Sequence, residues 1–285
     1  MRVLMVVNSS KEQGMHGAGE LTELLHAQGI DTLTIEAEQI ADASGVLEEG
    51  LRCVEWSPDL ICTFGGDGTL LSAAQVAFRH DAPMLGFNYG TLGFLTGASD
   101  ESMDKAVKAA LAGELPGEKR AALEVSIEAE SGECRHCTVL NEVAMTRGSS
   151  GRLVEYTIEI DGDKLADMRA DGVIVASATG STAYSLSAGG PLLAPTLQGM
   201  VVSALAPHSL ISRAMVTDGS QKVRIVPNPI GDAECFVFAD GKRICDGEKP
   251  AAITATVRRE AVTLLRYDMP SFTRRASGAF YGEQP

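Results

Sequence analysis

Residues 60–69 read LICTFGGDGT, an apolar run followed by a glycine-rich turn. The apolar run has the length of a buried strand, and residues 69–78 after the turn carry apolar side chains at helical spacing. A strand, a glycine turn and a helix start are therefore expected to follow one another directly. Glycines let the backbone approach a ligand closely, and the N–H groups at a helix start favour an anion.

Asp67 is the unexpected residue of this turn. A carboxylate repels phosphate unless it has a further task, such as taking a proton from an attacking hydroxyl or fixing a metal. The stretch thus indicates phosphoryl transfer to an alcohol, with Gly65, Gly66, Gly68 and Thr69 as the phosphate loop. The alternative is a plain turn or helix cap, because these residue types are common there.

Length and charge restrict the possible functions. The 285 residues exceed a typical single domain, and a hydrophobic content of 45% suffices for real cores. A formal net charge of −14 argues against a nucleic-acid partner, so phosphate binding needs a local site. Residues 1–10 indicate a first strand and turn instead of a signal peptide, and no apolar stretch approaches the roughly 18 residues of a membrane span. We expect a cytoplasmic protein with no membrane partner.

Hydrophobic patterning divides the chain into two domains. In residues 1–118 strand and helix patterns alternate, which predicts an α/β domain with a parallel, Rossmann-like sheet. Ligands of such sheets bind at the carboxyl ends of the strands, where the glycine turn falls. In residues 119–260 short strand patterns follow one another, which predicts a β-rich domain. Residues 113–118 resemble a linker, and residues 261–285 are a candidate addition to the first domain.

Cysteine spacing raises the question of a metal. Cys134 and Cys137 have CxxC spacing, but a zinc site needs a second such pair, and the sequence has none. Cys235 and Cys245 could in principle complete four ligands, although their flanks have ordinary strand patterns. Reduced thiols and no protein-held metal are the simpler expectation.

Polar stretches of the second half are candidates for nucleotide contacts. Asn141 and Glu142 follow an apolar strand, and an amide beside a carboxylate can bind a ribose diol or a base edge, although such pairs are also common in surface turns. Residues 179–191 combine hydroxyls and glycines, which suits sugar and phosphates; a flexible loop is the alternative. Within them, Tyr184 could stack on a base.

Charged residues near the turns extend this set. Arg169 can hold a phosphate in its fork, and Asp171 can accept a hydrogen bond from ribose or from an adenine amino group. Arg152 and Lys242 are further cations near turn sequence. For each of them a solvated surface charge is the alternative.

An ordered series of motifs resembles the NAD kinase family. The motifs are Gly65–Thr69, Asn88–Thr96, Leu140–Glu142, Asp171–Pro191 and Pro207–Leu210. The resemblance implies transfer of a terminal phosphate from ATP or polyphosphate to the 2′-hydroxyl of the adenosine ribose of NAD, giving NADP. It also implies a divalent metal, Mg²⁺, held mainly by the donor's phosphates, and a homo-oligomer, either a dimer or a tetramer, in which a neighbouring subunit contributes to the site.

Roles of single residues follow from the same resemblance. Asp67 is similar to the general base for the ribose hydroxyl, with Gly68 against the substrate. Asn141 and Glu142 match residues that bind the nicotinamide-side ribose or the neighbouring phosphates.

The resemblance further implies that the β-rich domain, residues 119–260, binds the dinucleotide. Arg152, Arg169 and Asp171 resemble dinucleotide contacts of the family, and Lys242 stands where many relatives have a glutamine. The adenine and ribose pocket is implied to be lined by Thr182, Ala183, Tyr184, Ser185, Leu186 and Ser187.

Other functions remain open at this level. A lipid kinase of the diacylglycerol or sphingosine type shares the Gly-Gly-Asp-Gly turn, but the acidic charge argues against a membrane-facing patch. A phosphofructokinase-type enzyme lacks the later motifs. A non-catalytic dinucleotide-binding sensor has no need of Asp67, since phosphate binding alone does not use it.

Overall fold

The computed structural model describes residues 1–40, 56–90, 93–228, 234–244 and 249–282. Contacts between these residues divide the chain into two compact units. The first unit is formed by the described residues of 1–119 and 261–285, and the second by those of 120–260. Each unit has its own hydrophobic core, so each is described by itself.

The first unit is an α/β unit with a parallel sheet, as the sequence predicts. Its strands are β1 (Arg2–Val7), β2 (Asp31–Glu36), β3 (Leu60–Gly65) and β4 (Met84–Asn88). They lie in the order β2-β1-β3-β4, and the far end of the long strand β16 (Pro250–Leu265) pairs with β4. Its helices are Glu12–His26, Ala37–Ile40, Asp67–His80, Met103–Leu111 and Phe272–Tyr281, with a 3-10 turn at Asp100–Ser102.

The sheet of the first unit is apolar along its strands. All six residues of β3 are buried, because helices pack on the sheet and cover it, as is usual for parallel strands. Leu21 and Val107 from two helices share one core cluster with Phe64 of β3. In the register between β3 and β4, Gly65 lies beside Asn88. The glycine turn and the Asn88–Thr96 motif therefore begin at the same edge of the sheet.

The second unit is β-rich, as predicted, and its strands pair antiparallel. Apart from β5 (Gly117–Ala129), which enters it, its strands are β6 (Cys134–Val139), β7 (Glu142–Arg147), β8 (Val154–Ile160), β9 (Asp163–Ala170), β10 (Gly172–Ser177), β11 (Gly199–Leu205), β12 (Met215–Asp218), β13 (Val223–Pro227), β14 (Cys235–Ala239) and β15 (Lys242–Ile244). One sheet has the order β12-β11-β10-β7-β14-β15. The other contains β13, β8 and β9 with β16, β5 and β6.

The core of the second unit lies between these two sheets. Residues of β8 alternate strictly between buried and partly exposed, which is the pattern of a strand with one face on a core. Tyr156 and Ile158 from this strand share a core cluster with Val143 and Val173 from the other sheet. Short helical turns at Gly180–Thr182 and Tyr184–Ser187 are the helical segments described in this unit.

Local differences from the sequence-based expectations concern segment ends. The stretch 113–118, predicted as a linker, already enters β5 at Gly117, and the Arg266 N–H donates to the Pro116 carbonyl. Glycine and proline end the preceding helix here, yet the strand ladder resumes at once.

Among the helices of the described residues, none has both the length and the hydropathy that a membrane crossing requires.

Candidate active site

The glycine turn forms the end of a strand and the start of a helix. β3 ends at Gly65, Gly66 is the N-cap, and the helix Asp67–His80 follows directly. The N–H of Tyr89 donates to the Gly65 carbonyl at 3.0 Å, which fixes the turn against the end of β4. The N–H groups of Thr69 and Leu70 donate to the Gly66 carbonyl at 3.1 and 3.3 Å, which closes the first helical turn. The N–H groups that precede them at the helix start lack acceptors within the helix, as at any helix N-terminus, so they favour an anion.

Asp67 is half-buried and is held by backbone N–H groups of the Asn88–Thr96 motif. One of its carboxylate oxygens accepts from Phe94 N–H at 2.9 Å and the other from Leu95 N–H at 3.1 Å. A Cβ built on Gly93 would collide with this carboxylate, so the close approach requires glycine there. Thr91 and Leu92 of the same motif lie outside the described residues. Two motifs that are separate in the sequence thus form one site.

Asp240 fixes the Asn-Glu pair of the second unit. Its carboxylate accepts from the N–H groups of Leu140 and Asn141 at 2.8 Å each, and of Glu142 at 3.1 Å. Asn141 and Glu142 are both buried. A Cβ on Gly180 would collide with the backbone of Asn141, so the hydroxyl-rich segment lies directly against this pair.

Burial changes the acidity of this pair of carboxylates. Burial, and then the negative charge of Asp240, raise the pKa of Glu142 to about 8, while a hydrogen bond from Tyr184 N–H lowers it. Burial also raises the pKa of Asp240, to about 6, against its three N–H bonds and the charge of Lys242. Glu142 is therefore mostly protonated at neutral pH and can donate a hydrogen bond as well as accept one.

The hydroxyl-rich segment divides into supporting and exposed side chains. Ser185 is fully buried, and its hydroxyl contacts that of Ser203 at 3.2 Å. Tyr184 and Ser187 are exposed, whereas Thr182, Ala183 and Leu186 are partly buried. Exposed and partly exposed groups of this segment remain available to a ligand.

The predicted charged contacts occupy different surroundings. Asp171 forms an ion pair with Arg147, with Nε and Oδ1 2.8 Å apart. Arg169 is exposed and lies 3.5 Å from Glu155. Arg152 is exposed in the turn before β8, and Lys242 begins β15.

Sequence reasoning missed four residues that hold these groups in place: Gly93, Arg120, Arg147 and Asp240. Arg120 is almost fully buried on β5 and lies 3.4 Å from the Thr179 hydroxyl, at the start of the hydroxyl-rich segment. An arginine within an otherwise alternating strand pattern was the available signal. For Asp240 the signal was an Asp-Gly turn between two short strand patterns, and for Gly93 a second glycine close after Gly90.

The CxxC pair does not form a metal site. Cys134 and Cys137 are three residues apart on β6, so their side chains point to opposite faces of the strand. Both are free thiols, as is Cys235, and Cys245 lies outside the described residues. Within the described ranges, no group of three or more His, Cys, Asp and Glu residues is arranged to hold a metal ion.

The glycine turn, its fixed aspartate and the α/β and β-rich units are the features expected of a phosphotransferase. Comparison with known families identifies it further. The family model described as the ATP-NAD kinase N-terminal domain matches residues 3–115, and the one described as the ATP-NAD kinase C-terminal domain matches residues 140–267. The chain belongs to the NAD kinase family, and it is an enzyme of that family, which confirms the resemblance drawn from its motifs.

Individual relatives agree with this assignment. The NAD kinase of Thiobacillus denitrificans is 33% identical over 264 residues, which are 91% of this chain and 90% of the relative. The NAD kinase of Ectopseudomonas mendocina is 41% identical over 184 residues, and this match spans 65% of the chain and 62% of the relative's length.

Solved structures show the same fold. The crystal structure of yeast NADH kinase complexed with NADH has a TM-score of 0.84 and 25% identity, and the match covers 99% of this chain and 87% of the yeast chain. An NAD kinase from Archaeoglobus fulgidus in complex with ATP has a TM-score of 0.72 and 24% identity, with coverage of 99% and 98%. The predicted fold class is confirmed.

Proposed function

We propose that this enzyme transfers the terminal phosphate of ATP, or of polyphosphate, to the 2′-hydroxyl of the adenosine ribose of NAD. The observation that carries this proposal is Asp67, a carboxylate at the first position of a phosphate-loop helix with both oxygens oriented by backbone N–H groups. A phosphate site alone has no use for an oriented carboxylate. A hydroxyl acceptor does, because its proton must leave during attack.

The proposed step conserves atoms and charge. The ribose 2′-oxygen attacks the terminal phosphorus while its proton passes to Asp67, and the bond from that phosphorus to the bridging oxygen of the donor breaks. The products are NADP and the donor shortened by one phosphate. We assign the N–H groups at the helix start, with Gly68 among them, to the transferring phosphate, while Thr69 closes the turn through its N–H bond to the Gly66 carbonyl. Positioning and charge neutralisation supply most of the acceleration in such transfers, and the base adds about 10² to 10⁴-fold.

The second unit supplies the proposed dinucleotide contacts. We assign Asn141 and Glu142 to a ribose or its neighbouring phosphates, since a buried protonated acid beside an amide offers both donors and acceptors. We assign Arg152, Arg169 and Lys242 to the phosphates of NAD, and Asp171, held by Arg147, to an adenosine group.

The adenosine pocket is assigned to the segment after β10. Thr182 and Ser187 offer hydroxyls, Ala183 and Leu186 offer apolar surface, and Tyr184 offers a ring for stacking. Ser185 supports this segment from inside through Ser203.

A divalent cation fits this site only as a companion of the donor. The described residues supply no cluster of ligands for it, so we propose Mg²⁺ bound mainly to the donor's phosphates, where it neutralises their charge. The donor assignment rests on the family's description as ATP-NAD kinases, with polyphosphate as the alternative.

We further propose a homo-oligomer, a dimer or a tetramer. Leu210 and Ile211 on the turn after β11 are 97% and 85% exposed, which is unusual for two adjacent large apolar side chains and suits burial against a second copy. Light scattering during size-exclusion chromatography measures the mass, and a monomer at micromolar concentration would refute this proposal.

A panel of acceptors and donors tests the proposed reaction. The protein is incubated with Mg²⁺ and either ATP or polyphosphate, and with NAD, NADH, diacylglycerol or sphingosine as acceptor. We expect a 2′-phosphate on NAD, identified by ³¹P NMR of the product. Phosphorylation of a lipid alone would favour the lipid kinase alternative, and NAD binding without turnover under every donor would favour the sensor.

A further inference from the structure

Asp67 is oriented by a segment that is itself held from the C-terminus of the chain. The segment Gly93–Thr96 supplies both N–H groups that bind the Asp67 carboxylate. Its backbone carbonyls accept hydrogen bonds from two arginines that lie 170 to 182 residues later in the sequence. All of these residues belong to the first unit.

Arg275 and Arg266 bind the carbonyls of this segment. Arg275, on the helix Phe272–Tyr281, donates from Nη1 to the Gly93 carbonyl at 3.1 Å and is only 5% exposed. Arg266 donates to the Leu95 carbonyl at 2.9 Å, to the Phe94 carbonyl at 3.2 Å and to the Thr96 carbonyl, and it pairs with Glu118. Each residue of the segment therefore has a cation on its carbonyl side.

The Phe94 side chain is fixed by the same helix. Its ring stacks on Phe280, with centroids 5.8 Å apart and planes 3° apart, and it contacts Phe272 at 5.7 Å. The Arg275 guanidinium lies over the same ring at 5.8 Å from its centroid. Rings in such contacts restrict one another's rotation, and a cation over a ring adds an electrostatic attraction.

The charge of Arg275 acts on Asp67 as well as on the backbone. Burial lowers the pKa of Arg275 to about 10, the nearby Arg266 acts in the same direction, and the charges of Glu118 and Asp67 raise it. The guanidinium therefore stays positive at neutral pH, within electrostatic reach of the Asp67 carboxylate. The Gly93 carbonyl, the Phe94 ring and these acids offset only part of the cost of burial, since the pKa is lowered on balance and the buried Nε has no hydrogen-bond partner among the described residues.

We propose that Arg275 is a positioning residue for the reaction: through Gly93 and Phe94 it holds the two N–H groups that aim the Asp67 carboxylate at the acceptor hydroxyl. This inference rests on the proposed role of Asp67. It assigns a catalytic consequence to the C-terminal helix, which lies about 200 residues from the phosphate loop in sequence and contains no candidate substrate contact.

Replacement of Arg275 by methionine tests this role, because methionine keeps much of the apolar stem and removes the donors and the charge. We expect kcat to fall about 10 to 100-fold, with KM for NAD and for ATP changed less than about two-fold. The reason is that the lost hydrogen bond and charge orient Asp67 in the transition state and do not bind either substrate. Arg274→Ala is the matched control: it removes an exposed arginine from the same helix and should leave both constants unchanged.

A double-mutant cycle with Asp67→Asn separates positioning from a purely structural role. If Arg275 acts through Asp67, Arg275→Met lowers the residual kcat of the Asp67→Asn enzyme by less than about two-fold. An Arg275→Met enzyme with wild-type kcat overturns the inference, as does a full additional loss in the double variant. If Arg275→Met does not fold, Arg275→Lys decides: a folded lysine variant should lose kcat at constant KM, and wild-type kcat in it also overturns the inference.

Failure of the proposed function has a different signature. Normal turnover of the Asp67→Asn enzyme would refute the assignment of Asp67 as the base, whatever the result for Arg275→Met. If the wild-type protein forms no NADP, the proposed reaction is refuted. If Asp67→Asn loses activity and Arg275→Met keeps full activity, only the positioning role of Arg275 is refuted.

Discussion

Single residues determine the geometry of this enzyme through hydrogen bonds to carboxylates. Asp67 accepts two backbone N–H groups and Asp240 accepts three. Backbone donors hold an acid in one orientation without a mobile partner side chain. Changes at these positions should therefore alter catalysis or substrate binding more than they alter the fold.

Gly93→Ala tests the close approach to Asp67. The new Cβ cannot fit beside the carboxylate, so Asp67 must turn away, and we expect kcat to fall by at least about ten-fold. Steady-state NADP formation measures the change. Gly90→Ala is the control, because open space surrounds the position of its Cβ. Equal losses in both variants would show that the loop tolerates no side chain anywhere, and the specific contact would lose its support.

Glu142→Gln tests the raised pKa of the buried acid. The folded protein binds a proton at Glu142 more tightly than the unfolded chain, so this group stabilises the fold below about pH 4.5 and loses that contribution as pH rises to about 8. Relative to Glu142→Gln, the wild type should lose stability across this window. Urea unfolding at several pH values measures the difference, and Glu124→Gln, on the exposed face of β5, is the control. A constant difference would contradict the raised pKa.

At the scale of elements, the candidate site residues lie at the ends of strands and helices. The glycine turn that we propose as the phosphate loop lies between β3 and the helix Asp67–His80, and the β14–β15 turn supplies Asp240 beside the start of β7. The two sheets of the second unit are joined by Tyr156, which is fully buried and donates from its hydroxyl to the Gly172 carbonyl at 2.9 Å. This bond connects β8 to the strand that leads into the hydroxyl-rich segment.

Tyr156→Phe measures that connection. We expect the free energy of unfolding to fall by about 1 kcal/mol, because the Gly172 carbonyl stays buried without its donor. Urea denaturation gives the value, and Tyr281→Phe, whose side chain is 75% exposed, should leave it unchanged. A Tyr156→Phe protein as stable as wild type would show that another donor replaces the hydroxyl.

The elements of this fold were predictable from the sequence because their signals are local. β3, β4 and β8 were indicated by apolar runs or strict alternation, and the turn between β3 and the helix Asp67–His80 was indicated by its glycines. What could not be predicted are contacts between distant positions. Phe94 lies 27 residues from Asp67, Asp240 lies 99 residues from Asn141, and Arg275 lies 182 residues from Gly93.

At the scale of the whole molecule, acidic charge and local cations have separate roles. The net charge of −14 repels anions at a distance, so binding of phosphates has to depend on local donors. In the proposed function, N–H groups at the helix start and exposed arginines provide these donors. Arg120, Arg266 and Arg275 are instead largely removed from solvent and bind groups of the protein itself. The burial of these arginines could not be predicted from sequence patterns, because arginine side chains are by default exposed to solvent.

The most direct test of the central claim is single-turnover formation of NADP by Asp67→Asn, compared with wild type and with Asp81→Asn. Asp81 lies exposed at the other end of the same helix, in a left-handed conformation that asparagine also adopts. We predict a rate about 10² to 10⁴-fold lower for Asp67→Asn at nearly unchanged NAD affinity, and wild-type rates for Asp81→Asn. Wild-type turnover in Asp67→Asn would contradict the assignment of this carboxylate as the base.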